Sequence, residues 1–168
     1  ADAKTRTFGD ATPAFTYAIA GFLNGDTAAA ATSGAPVLST TATATSGVGT
    51  YPIAVAAGAL VASNYAFTFV DGTLTVTKAP LTVTAEGRTK VYGSANPGFS
   101  ATLSGFVNGE TLATSGVTGT AALTTSAGTA SPVAAYAITP AVGTLGAANY
   151  AFATFVDGSL TITKAFLV

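Results

Sequence analysis

An all-β protein is the fold class this sequence predicts, and three observations carry the prediction. Short stretches with period-two alternation recur along the chain, Gly, Asn, Asp and Pro punctuate them every 8 to 12 residues or so, and long amphipathic helix patterns are missing. Within that class the expected architecture is two tandem small antiparallel β modules, Ig-like sandwich or β-grasp-like. Each module carries at most one short helical turn, and the pair forms an elongated rod.

The second half of the chain is the more complete. Strands are expected near residues 81–85, 99–105, 118–125, 134–139, 150–156 and 159–164, each an alternating stretch bounded by turn residues. The first half should follow the same order without its first strand. A single helical turn is expected over residues 26–31 (DTAAAA), with Asp26 or Thr27 as N-cap, and residues 110–113 occupy the same place in the second half.

The most telling stretch is NYAFTFVDGTLTVTKA, residues 64–79. With Asp71-Gly72 as a two-residue type I′ turn, it predicts a hairpin in which Phe69 faces Leu74, Thr68 faces Thr75 and Phe67 faces Val76. The stretch returns as NYAFATFVDGSLTITKA, residues 149–165, with one additional residue, Ala153. A β-bulge at Ala153 is expected, so that Phe152 faces Ile162 while Phe155 faces Leu160.

That recurrence belongs to a repeat of the whole module. RTFGDATPAF (6–15) matches KVYGSANPGF (90–99), and GFLNGDT (21–27) matches GFVNGET (105–111). Tyr51, Ile53, Gly58 and Leu60 then match Tyr136, Ile138, Gly143 and Leu145, one residue further out of step, and residues 71–79 match 157–165 after one more. The domains read from this are residues 1–79, a first repeat lacking its first strand; 80–165, a second repeat; and 166–168, the start of a further one. The phase suggests a window from a longer tandem array. Between the copies, TVTKAPLTVT (75–84) leaves only Lys78-Ala79-Pro80 as linker, and the fixed φ of Pro80 makes it stiff.

Composition excludes several functions. Of 168 residues 49% are hydrophobic and 8% charged, the net charge is −1, and His, Cys, Met and Trp are absent. Without His or Cys the usual hydrolase triads and thiolate metal sites cannot be assembled, so no enzyme activity, catalytic residue or cofactor is expected. Six cations against seven acids leave no basic stripe for phosphates, so no nucleic-acid partner is expected. The longest nearly apolar run, IAVAAGALVA (53–62), is far short of the roughly 20 residues a spanning helix needs, so no membrane insertion is expected.

The acids Asp2, Asp10, Asp26, Asp71, Glu86, Glu110 and Asp157 sit mostly in turn contexts, where Asp beside Gly serves local hydrogen bonding. A lone calcium site at Asp2 or Glu86, and a Lys–Asn crosslink between Lys78 or Lys164 and Asn64 or Asn149, are the competing readings, and both are disfavoured. The aromatics of the 8–15 and 92–99 segments read as core caps rather than ligand platforms, and Tyr51 and Tyr136 as corner residues. No metal or cofactor-binding residue is assigned, and ligand-binding residues are unknown from sequence.

The order ADAKTRTFGDATPAFTY, GFLNGDT, GTYPI, NYAF and LTVTKAPLTVTAEG resembles the MBG domain of the YGX type, over essentially the whole chain as two copies. Phe8 stands where the type name expects tyrosine. The resemblance implies an extracellular or bacterial cell-surface location in a large adhesin-like protein. There the copies would act as structural stalk or spacer repeats, with neighbouring copies of the same repeat as partners. Two alternatives accompany it: a glycan- or mucin-binding adhesive module, and a filament subunit that assembles by strand or edge pairing.

Overall fold

The computed structural model describes residues 1–168, and the chain divides into two compact units, Ala1–Thr77 and Lys78–Val168. The first contains β1 (Lys4–Thr7), the single turn α1 (Ala28–Ala31), β2 (Thr32–Ser33), β3 (Val37–Ser39), β4 (Gly49–Ala56), β5 (Val61–Ala62) and β6 (Gly72–Thr77). Its main sheet has the order β1-β6-β4-β3, with β1 parallel to β6 and the other pairs antiparallel; β2 and β5 form a separate antiparallel pair.

The second unit contains β7 (Ala79–Ala85), β8 (Arg88–Val91), β9 (Ala101–Ser104), β10 (Ala122–Thr124), β11 (Ala135–Ala141), β12 (Tyr150–Val156) and β13 (Gly158–Thr163). One sheet, β10-β11-β13-β8, repeats the main sheet of the first unit strand for strand, including the parallel pair β13 and β8. The other sheet is β12-β7-β9, with β7 in the middle, parallel to β12 and antiparallel to β9. The protein is all-β as predicted, but its sheets are mixed rather than purely antiparallel.

Period-two alternation decides which side chains go inside. In β6 Leu74 and Val76 are buried while Thr73 and Thr77 are exposed, and in β13 Leu160 and Ile162 are buried between exposed Ser159, Thr161 and Thr163. The cores correspond residue by residue. Ala42, Ile53 and Leu74 cluster with Ala1, Phe15, Leu38 and Tyr51 in one unit; Ala127, Ile138 and Leu160 cluster with Ala85, Phe99, Leu123 and Tyr136 in the other, together with Ile162. Full burial of each large aliphatic side chain contributes about 1.5–3 kcal/mol. In the second unit Ala85 of β7 joins Ile138, Leu160 and Ile162 of the four-stranded sheet, so this core lies between two sheets. The turn α1 buries none of its residues, so the first unit has no β-grasp helix. Thr27 occupies its N-cap position without a side-chain capping bond.

The predicted hairpin does not form. Both edges of β6 are taken by β1 and β4, and both edges of β13 by β8 and β11, so neither has room for the aromatic stretch that precedes it. Instead β12 pairs with β7 in the other sheet, and Asp157 marks a change of sheet. Neither Gly72 nor Gly158 has a positive φ, which excludes a type I′ turn at Asp-Gly. The glycine serves close approach: a Cβ on Gly158 would lie 2.6 Å from the carbonyl oxygen of Ala85. Asp71 accepts a hydrogen bond from the Val55 amide at 3.0 Å, tying the corner to the end of β4. The bulge is where the insertion places it, since register shifts between Phe152 and Thr154, but its partner is β7, with Phe152 opposite Leu81.

Three further differences follow from pairing. Strands β1 and β8 were not foreseen, because their cations interrupt the apolar alternation. The 118–125 stretch is a strand only at β10, with Thr118 bridged to Gly146. In the first unit, residues 17–20 and 65–70, the counterparts of β9 and β12, are not strands, because the central strand between them has no counterpart there.

Substituting Gly158→Ala should destabilise the second unit by about 1–3 kcal/mol, the usual cost of overpacking. Gly98→Ala, where a Cβ meets nothing within 4 Å, should be near neutral. Urea denaturation of the two variants checks the contrast.

Candidate functional site

The polar side chains that recur in both copies are the natural place to look for chemistry, and many are engaged with backbone or with a neighbouring side chain. The deepest are Arg6 and Lys90, 5% and 6% exposed, at equivalent positions in β1 and β8. Both sit below a tight turn. Asp10 N–H donates to Thr7 O at 3.1 Å with Gly9 at φ 90°, and Ser94 N–H donates to Val91 O at 3.1 Å with Gly93 at φ 87°. A positive φ at the third turn position is the type II geometry, which explains why glycine follows Phe8 and Tyr92.

Each cation is solvated by carbonyls. Lys90 Nζ donates to Ser94 O at 3.1 Å and Gly128 O at 2.7 Å. Arg6 donates through Nη1 to Thr7 O at 3.2 Å and Asp10 O at 3.1 Å, and through Nη2 to Thr43 O. One carbonyl in each set belongs to the turn and another to the long loop before β4 or β11. The buried charge therefore joins two segments distant in sequence without a carboxylate partner.

A second repeated set joins GFLNGDT and GFVNGET to NYAF. Asn24 and Gly25 have φ 56° and 77°, and Asn108 and Gly109 have φ 55° and 72°, closed by Asp26 N–H to Leu23 O at 2.9 Å and Glu110 N–H to Val107 O at 3.0 Å. These are the type I′ turns of the molecule. Tyr65 donates to Asp26 Oδ2 at 2.6 Å and Tyr150 to Glu110 Oε2 at 2.5 Å. The Phe22–Tyr65 and Phe106–Tyr150 rings meet edge to face, both at 5.5 Å. The carboxylate hydrogen bond raises the pKa of Tyr65 above the ordinary tyrosine value, and desolvation, assisted by Glu110, raises that of Tyr150.

Several of the remaining candidates are also occupied. Asp2 accepts from Thr16 Oγ1 at 2.5 Å, and Glu86 accepts from Ser100 Oγ at 2.5 Å and from Arg88 at 3.0 Å, a half-exposed ion pair worth at most about 1 kcal/mol. No three metal-ligating side chains converge. Lys78 Nζ donates to Ala147 O at 2.8 Å. Tyr51 and Tyr136 are the expected corner residues, their hydroxyls donating to Gly47 O at 2.9 Å and Pro132 O at 3.1 Å, each four residues upstream. Phe15 and Phe99 pack on the cores as caps, whereas Phe8 is buried and Tyr92 is 47% exposed, so the first aromatic of the motif differs between the copies. Sequence reasoning missed Arg6 and Lys90; the signal was a cation at the same place in both copies, two residues before the aromatic-glycine pair.

The family model of the MBG domain (YGX type) matches residues 1–75 and 81–161. No curated protein and no solved structure matches the chain.

Replacing Lys90 with Met should destabilise the second unit by about 1.5–3 kcal/mol, the worth of charged hydrogen bonds to the two carbonyls, as read by thermal or urea unfolding. Tyrosine absorbance should show Tyr65 and Tyr150 ionising above the range of ordinary tyrosines. Their raised folded pKa makes their contribution to stability complete below the unfolded value of about 10 and lost as pH rises through the folded value. Tyr65→Phe and Tyr150→Phe should flatten that alkaline loss.

Proposed function

Because the chain belongs to the MBG domain (YGX type) family, a structural and adhesin-type repeat module of larger proteins, we propose that it is a tension-bearing stalk or spacer repeat of a large bacterial extracellular adhesin or filamentous surface protein. Its partners in that role are neighbouring copies of the same repeat. One observation carries the reading. In each unit the strand that carries the aromatic-glycine turn, β1 or β8, pairs parallel with the last strand, β6 or β13.

Tension applied through the chain pulls the start of β1 one way and the end of β6 the other. The rungs from Lys4–Leu74 to Thr7–Thr77 then lie across the load and must yield together. The second unit has two such pairs, β8 with β13 and β7 with β12. Individual hydrogen bonds are worth only about 0.5–1.5 kcal/mol net, so a shared load is what a spacer needs. The repeated polar side chains support the same reading, since they hold turns and loops against the sheet. Only one residue, Lys78, separates β6 from β7, which suits force transmission along the chain.

The absence of cysteine gives clean attachment points for force spectroscopy. Pulled through handles beyond both ends of β1 and β6, the first unit should unfold at clearly higher force than when pulled through Ala3→Cys and Thr73→Cys, which open the same parallel pair from one end, rung by rung. Equal forces in the two geometries would count against a load-bearing role.

A further inference from the structure

Two of the five asparagines, Asn24 and Asn108, are followed by glycine. Asn24, Gly25, Asn108 and Gly109 are all exposed, and a Cβ built on either glycine would meet nothing within 4 Å. The Gly109 amide makes no hydrogen bond, and neither does the Asn108 carboxamide beside it. The other three asparagines are placed differently. Asn96 precedes Pro97, which has no N–H, and its carboxamide donates to Ala127 O at 2.7 Å. Asn64 and Asn149 precede tyrosines, whose side chains crowd the following amide. Asp71-Gly72 and Asp157-Gly158 have a related local composition, but their glycines are held in β6 and β13, opposite Ile53 and Ile138.

We propose that Asn108 and Asn24 are sites of spontaneous deamidation, with water as the only co-reactant. The Gly109 nitrogen attacks Asn108 Cγ, so that the N–Cγ bond forms and the Cγ–Nδ2 bond breaks. The Gly109 amide proton leaves with the carboxamide nitrogen as ammonia. Water then opens the cyclic imide at either carbonyl and returns aspartate or isoaspartate. Glycine sets no side chain against the approaching carboxamide. Ring closure needs the turn to open, and one backbone bond closes it, Glu110 N–H to Val107 O at 3.0 Å, on an exposed loop where local opening costs least. The consequence reaches the aromatic stretch. Isoaspartate routes the main chain through Cγ and adds a backbone atom, which a two-residue type I′ turn does not accommodate. Glu110, next after the glycine, is then drawn off Tyr150, whose hydroxyl donates to its Oε2 at 2.5 Å and accepts from the Val107 amide at 3.3 Å. Asp26 and Tyr65 stand in the same relation to Asn24. The inference concerns how the module ages and does not depend on the load-bearing role.

Incubation of the intact chain in mildly alkaline buffer, followed by peptide mapping with fragmentation that separates aspartate from isoaspartate, tests the proposal. Loss of asparagine is expected at Asn24 and Asn108, well ahead of Asn64, Asn96 and Asn149, with no isomerisation at Asp71 or Asp157. The melting temperature should fall as conversion proceeds. In a chain carrying Asn24→Gly and Asn108→Gly, which keep a residue that accepts the positive φ, the same incubation should leave it unmoved. Survival of Asn24 and Asn108 in the folded chain, while a urea-unfolded sample converts at both, overturns the proposal. So does conversion spread evenly over all five asparagines. Conversion with an unchanged melting temperature would overturn the release of Glu110 and Asp26.

Discussion

Each module depends on its last strand. β6 and β13 lie inside their sheets, parallel to the strand bearing the aromatic-glycine turn on one side and antiparallel to the longest strand of the module's middle on the other. Their inward residues, Leu74 and Val76 or Leu160 and Ile162, are among the least exposed in the molecule. Because both edges are filled, the preceding aromatic stretch is turned away into a second layer. The sharp bend that results is why a glycine must follow Asp71 and Asp157, where the crossing backbone leaves no space for a Cβ. The mixed sheets and the position of the core follow from this one arrangement.

The polar chemistry serves the same end. A chain with 8% charged residues has few such groups, and several that recur engage main-chain atoms or a neighbouring hydroxyl in both copies. Arg6 and Lys90 bind carbonyls of a turn and of a remote loop. Tyr65 and Tyr150 join an Asn-Gly turn to the aromatic stretch, and Tyr51 and Tyr136 close corners. Such groups satisfy loop backbone that would otherwise be left unpaired near the core. Together they hold turns and loops against the sheets.

Much of this was legible in the residues. Period-two alternation identifies most of the second unit's strands, the repeat is visible at fixed spacing, and the inserted Ala153 marks its own bulge. Partner choice was not legible. Asp71-Gly72 carries the composition of a type I′ turn, yet the φ values that define that turn occur at Asn24-Gly25 and Asn108-Gly109. Local sequence specifies that a bend occurs, whereas occupancy of the neighbouring edges decides which strand follows it. β1 and β8 escaped notice because Arg6 and Lys90 sit at inward positions that a polarity pattern assigns to solvent. The unpaired state of residues 17–20 and 65–70 depends on a strand outside either segment, so no local pattern contains it.

The two modules form an internal comparison: two copies of one repeat, with and without a central strand in the second layer. Amide hydrogen exchange resolved by residue tests the account most directly, because protection follows hydrogen bonding and local stability. Slowest exchange is expected in β6 and β13, with β12 protected and its counterpart, residues 65–70, exchanging fast. Equal protection of β12 and residues 65–70, or exchange in β6 and β13 no slower than in the edge strands β3 and β10, would contradict the account.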